Sequence, residues 1–161
     1  MAPLVALVLL APAARAAGTA AVDACKLLKV RELRNVLDQP VARPEKSRTS
    51  KVIATCEWQV SATANKPDGS VSTFLQFVGA KISFDTNRTQ LGKSVSSVSG
   101  LGKHAFYQST GTGGGVVWVL KGKVLLTVQG VFVSAPDGPV ANAEELEHEL
   151  VAAARIAKGR F

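Results

Sequence analysis

The chain has 161 residues, 47% of them hydrophobic, with a formal net charge of +7, two cysteines and two histidines. That length suits one domain with a real core and requires no second. The basic excess lacks the interleaved stacking aromatics that nucleic-acid binding uses, and two histidines with two paired cysteines are too few for a structural zinc site, so neither nucleic acid nor a metal or cofactor is expected.

Residues 1–16 read as a signal peptide. Met1 to Pro12 is an apolar run too short to span a bilayer, and Ala14-Arg15-Ala16 has the small-x-small pattern of a cleavage site. No basic residue precedes the run, which leaves a start upstream of Met1 open, and a buried N-terminal helix is the alternative reading. No later stretch is a transmembrane candidate. Residues 17–22 are small and read as a flexible segment, and 23–161 as a single α+β domain.

Export gives Cys25 and Cys56 a meaning, because a lone pair in an oxidising compartment is most simply one disulfide. Two reduced, buried thiols are the other reading. Val22-Asp23-Ala24 before Cys25 is wrong for a lipobox, so a soluble product is expected. Between Lys26 and Lys51 eight basic residues face Glu32, Asp38 and Glu45, and eight minus three leaves +5. Lys26, Lys29, Arg31 and Arg34 are the candidate contacts to an anionic polymer or lipid headgroups, although such a run is ordinarily a solvated face.

Leu33, Val36 and Leu37 recur at helical spacing and predict an amphipathic helix over residues 30–37. Pro40 and Pro44 among charges predict a loop over 38–50. From Lys51 to Val60 the pattern alternates, with Val52, Ala54, Cys56, Trp58 and Val60 on the core side of a strand. Lys66-Pro67-Asp68-Gly69 reads as a turn and Val71–Phe84 as a second strand. Asp85 to Ser99 is polar, either a short helix or a crossover. Its Gly92-Lys93-Ser94 lacks the upstream glycine and following helix of a phosphate loop, and Asn87-Arg88-Thr89 matches a glycosylation sequon only formally. Lys103–Tyr107 reads as a short strand and Gly111–Gly115 as a flexible loop.

Two apolar runs within Val116–Val133 flank Lys121-Gly122 and predict a β-hairpin. With those two residues as the loop, Leu120 pairs with Lys123 and Val119 with Val124. One face then carries Val117, Val119, Val124, Leu126 and Val128. The other carries Trp118, Leu120, Leu125, Thr127 and Gln129. If helices cover only the first face, Trp118, Leu120 and Leu125 form the candidate binding patch; a second layer or a dimer covering them is the alternative. Residues 142–159 predict the clearest helix, with Asn142 as cap, Glu144 and Glu145 in its first turn, a Leu146, Leu150, Ala153, Ala157 stripe, and Gly159 as its stop.

Asp23-x-Cys25-x-Leu27-Leu28, Glu32-Leu33, Cys56-x-Trp58, Val98-x-Gly100-Leu101-Gly102-x-x-Ala105-Phe106, the hairpin and the Ala-rich closing helix together resemble a family of small exported proteins. That family, best known from actinobacteria and often lipid-anchored, is catalogued as a domain of unknown function. The resemblance implies an α+β fold, an antiparallel sheet of about five strands packed against an N-terminal and a C-terminal helix, with one disulfide, and it brings no catalytic residues. Lys29-Val30 and Lys103-His104 depart from its usual Thr-Pro and acidic residue, and with no lipobox a lipid anchor does not carry over.

The reading that follows is a non-enzymatic exported protein, periplasmic, cell-surface or secreted, that binds an envelope protein or a small ligand. A basic wall- or lipid-associated structural protein is the alternative. An envelope hydrolase using His104 as base is a third, since His148, opposite the leucine stripe, reads as a solvated helix residue.

Overall fold

A computed structural model describes residues 22–161. The expected signal peptide and all of the 17–22 segment except Val22 lie outside the described residues; Val22 is half-buried against the core. The fold is α+β. A 3-10 turn over Ala24–Lys26 leads into α1 (Val30–Leu37), then β1 (Glu45–Thr49), β2 (Ile53–Val60), β3 (Asp68–Gln76), α2 (Ala80–Leu91), β4 (Val95–Ser97), β5 (Ala105–Ser109), β6 (Gly114–Lys121), β7 (Val124–Val133) and α3 (Ala143–Lys158). One antiparallel sheet holds all these strands in the order β1-β2-β3-β7-β6-β5-β4. It consists of two meanders, β1–β3 and β4–β7, joined through α2 and sewn together where β7 pairs with β3.

The sheet thus has seven strands rather than about five. The two added strands are its edges, and both come from polar stretches. β1 pairs with β2 through a bulge between Lys46 and Arg48, and three-residue β4 pairs with β5. A short, charged or bulged strand is what an edge tolerates, since it discourages pairing with another chain. Such strands carry no hydrophobic alternation, so the sequence pattern has nothing to report there.

One face of the sheet forms the main core. Ala54, Cys56, Trp58, Val71, Leu75, Val117, Val119, Leu126 and Val128 point to it and are buried together with Leu33 and Leu37 of α1 and Leu146, Leu150, Ala153 and Ala157 of α3. Each fully buried leucine stabilises the fold by about 1.5–3 kcal/mol relative to exposure, and the alanines let α3 lie close to the strands. Asn142 caps α3 as its sequence predicts, its side-chain oxygen accepting from Glu144 N at 3.0 Å and Glu145 N at 3.3 Å. The Cys25–Cys56 disulfide forms, with the Cα atoms 5.1 Å apart, and ties the 3-10 turn to β2. Beside it the buried Thr73 hydroxyl donates to Ala24 O at 3.2 Å, a second tie from β3.

The hairpin forms with the predicted faces and a different register. Lys121 pairs with Val124, Leu120 with Leu125 and Val119 with Leu126, so the loop is Gly122-Lys123. Gly122 has φ +59, the positive value that a two-residue turn of the II′ kind requires at its first position, and glycine meets it without strain. Each partner moves by two residues, and because side chains alternate with period two the faces are unchanged.

The second strand ends at Gln76 rather than reaching Phe84. Gly79, with φ +67, turns the chain at the N-terminus of α2. The alternation through Ile82 and Phe84 is then better described by helical spacing. Ala80 and Phe84, four residues apart, pack on the second face of the sheet with Phe106 and Leu125, and with Leu91, Val95, Trp118 and Leu120 around them. Val52, expected on the core side of a strand, lies instead in the β1–β2 turn and is exposed. Gly114 and Gly115, expected in a flexible loop, are the first residues of β6, where a Cβ on Gly115 would sit 2.4 Å from Tyr107 Oη.

Candidate functional site

Helix α3, with the Ala24–Lys26 turn and α1 beside it, buries the core of one face, whereas α2 covers only part of the other. What α2 leaves open is a groove of about 510 Å³ between its inner edge and strands β2, β3, β7 and β6. Thr55 and Glu57 of β2, Ser72, Phe74 and Gln76 of β3, Thr127 and Gln129 of β7, and Val116 and Trp118 of β6 form its floor and far side; Ser83 and Asn87 of α2 form the near wall. These strand residues share one face by register. Thr55 lies opposite Phe74, Glu57 opposite Ser72, Phe74 opposite Thr127, and Thr127 opposite Trp118.

The wall is held by its own hydrogen bonds. Gln76 Nε2 donates to Ser83 Oγ and to Val78 O, both at 2.8 Å, fixing β3 to the first turns of α2. Asn87 Nδ2 donates to Ser83 O at 2.7 Å, which leaves its side-chain oxygen to accept. On the far side Gln59 Nε2 donates to Glu57 Oε1 at 3.1 Å. Among the described residues, Glu57 is the only ionisable side chain lining the groove.

Trp118 is half-buried, and its ring is stacked on Phe106 with centroids 5.7 Å apart and planes 23° apart. Phe106 in turn lies 5.2 Å from Phe84. The indole Nε1 of Trp118 is buried with no hydrogen-bond partner. Of the expected patch, Leu125 is fully buried beneath α2, Leu120 is half-buried at its margin, and Trp118 alone lines the groove. The condition for an open patch, helices on one face only, is not met at Leu125. The groove's polar partners carry no signal of their own in the sequence, because their alternation marks a solvated strand face and says nothing about a helix coming alongside.

A second depression, of about 230 Å³, lies between the β2–β3 loop and the N-terminus of α3. Lys66 Nζ sits there 2.7 Å from Glu145, 2.6 Å from Glu149 and 2.7 Å from Leu37 O. Burial alone would lower the Lys66 pKa, but the hydrogen bonds it donates to the two carboxylates outweigh it and the value stands raised. Burial pushes Glu149 up despite Lys66. The buried Gln39 amide donates to Ser61 O at 3.2 Å and Pro67 O at 2.8 Å. With its charges satisfied by one another, this cluster fastens the loop to α1 and α3.

The four basic residues singled out as anion contacts are all exposed on the N-terminal segment: Lys26 ends the 3-10 turn, Lys29 precedes α1, and Arg31 and Arg34 share one face of it at i,i+3 spacing. Arg34 also donates from Nε and Nη2 to Val41 O at 3.2 and 2.9 Å. Glu32 between them is engaged by Arg160, whose Nη1 lies 2.7 Å from Glu32 Oε2 and 2.8 Å from Leu27 O. His104 leads into β5, edge-on to Phe84 at 6.3 Å, while His148 is exposed on α3 beside the Lys66 cluster. The fold does not bring the histidines together.

Among the described residues no helix is long and apolar enough to cross a membrane, and no group of three or more His, Cys, Asp or Glu side chains could hold a metal ion. Compared with protein-family models, with curated proteins and with solved structures, the chain matches none.

Proposed function

We propose that this chain is an exported, non-enzymatic binding protein, of the small exported kind its motifs resemble, and that its ligand lies in the groove between α2 and the open half of the sheet. The groove carries the reading. It combines an aromatic and aliphatic floor, Phe74, Val116 and Trp118, with hydrogen-bonding side chains around it, the composition expected of a small-ligand site. A ligand of this shape is amphipathic, matching that mixed lining. The disulfide supports export, because such bonds persist in oxidising compartments.

Amide chemical-shift mapping tests this directly, with short alkyl glycosides below their micelle concentration and capped tripeptides as probes. Shifts confined to Thr127, Gln129, Ser72 and Ser83, and abolished by Gln129→Trp, which fills the groove from an exposed position, are the expected result. Shifts centred elsewhere, or unaffected by Gln129→Trp, would remove the groove as the site.

A further inference from the structure

The antiparallel register gathers several lysines at one end of this protein and a group of acids at the other. At one end lie the turn between β1 and β2, the link from β3 into α2, the approach to β5 and the turn between β6 and β7. Phe77 N donates to Val52 O and Leu120 N to His104 O, both at 2.9 Å, which places these four segments side by side. They carry Lys51, Lys103 and Lys123, together with Lys81, which pairs with Asp85, and Lys121, whose Nζ donates to Lys158 O and Phe161 O. The acids near them are already engaged: Asp85 by Lys81 in an i,i+4 pair and Glu32 by Arg160. At the other end, Asp68 opens β3 and Asp137 follows β7, while Asp38, Glu144, Glu145 and Glu149 surround the start of α3 with Lys66 bound among them.

The basic end also displays apolar side chains that the fold does not use. Ile82 is 73% exposed, Val78 60% and Val52 49%, and Ile82 lines a shallow depression with Phe77, Lys81 and Lys123. Val131, Val133 and Val140 are comparably exposed, but toward the opposite end, where Val133 lies across from Asp68. Val133 and Val140 lie beside acids there, whereas Val52, Val78 and Ile82 lie among lysines.

We propose that this end seats on an anionic lipid surface. Val52, Val78 and Ile82 enter the headgroup–acyl boundary, and the lysines reach phosphates along their flexible stems. A soluble polyanion would engage the lysines and leave the apolar side chains without a role. The acidic opposite end turns away from the same surface, so the charge separation orients the molecule on approach. The groove is a separate region, and this inference does not depend on its having a ligand.

Co-sedimentation of the disulfide-bonded protein with phosphatidylglycerol–phosphatidylcholine vesicles, against phosphatidylcholine alone, is the test; residues 1–21 are common to all variants compared. Expected are binding that requires phosphatidylglycerol and weakens with salt, and a loss of about fivefold for Lys123→Ala or Lys103→Ala, the effect typical of one basic residue at such a surface. Ile82→Asp and Val78→Asp lower binding further, whereas Arg43→Ala, an equal charge change near the other end of β2, leaves it nearly unaltered. All five positions are exposed, and circular dichroism confirms that the variants fold. No preference for phosphatidylglycerol, or an equal loss with Arg43→Ala, would overturn the proposal. Binding that depends on the lysines but is indifferent to Ile82→Asp and Val78→Asp would overturn the seating of the apolar side chains and leave only adsorption to surface charge.

Discussion

The Phe84 ring lies 5.2 Å from that of Phe106, tilted by 48°, and this contact from α2 to the sheet decides how much of the second face is open. Phe84→Ala removes the largest apolar anchor of α2 and costs about 3–5 kcal/mol. Acrylamide quenching reads the outcome, because Trp58 is wholly buried on the other face and changes little while Trp118 loses its cover. Quenching of Trp118 at denaturant concentrations well below global unfolding is the expected result.

Reduction of Cys25–Cys56, or Cys56→Ser with Cys25→Ser, removes a cross-link between residues 31 apart in sequence. The chain-entropy model puts the loss near 3–4 kcal/mol. Thr73 still tethers Ala24, so the sheet stays assembled. A lowered urea midpoint with native Trp58 emission at zero denaturant is expected, and an unchanged midpoint would show the bond to be energetically idle.

The Arg160 hydrogen bond holds the Glu32 carboxyl down from its ordinary 4.5 to about 2. A depressed carboxylate pKa stabilises the folded state above the unfolded value, and that stabilisation is lost as pH falls through the folded one. Allowing for solvent screening of this partly exposed pair, about 1–2 kcal/mol disappears across that window. Urea midpoints measured over the same pH range for the parent and for Glu32→Gln should converge at the acid end.

Gly115 leaves no room for a side chain because Tyr107 crosses over it. Gly115→Ala forces the Tyr107 ring aside and costs about 1–3 kcal/mol. Tyr107→Phe removes the nearest atom of that clash, so the double variant recovers part of the loss. Thermal unfolding of the four forms measures the coupling, and strict additivity would rule the contact out as its source.

Much of the scaffold is legible in the sequence because its signals are local. Period-two alternation marks β2 and both faces of the β6–β7 hairpin, helical spacing marks Leu33 and Leu37, and Asn142 with its acidic first turn marks α3; the structure repeats each of these. The disulfide is equally plain, since only two cysteines are available and Cys56 faces the core.

Tertiary structure decided the rest. Ile82 and Phe84 fit a strand or a helix until Gly79 turns the chain and the Phe106–Leu125 surface receives Phe84, a choice made by contacts far away in sequence. The hairpin register depended on which turn position could take the positive φ of Gly122. The groove and the lysine-rich end come from segments brought alongside one another only by the strand order. Periodicity in a single chain reports which side of an element is apolar; what lies across from that side is set by the packing.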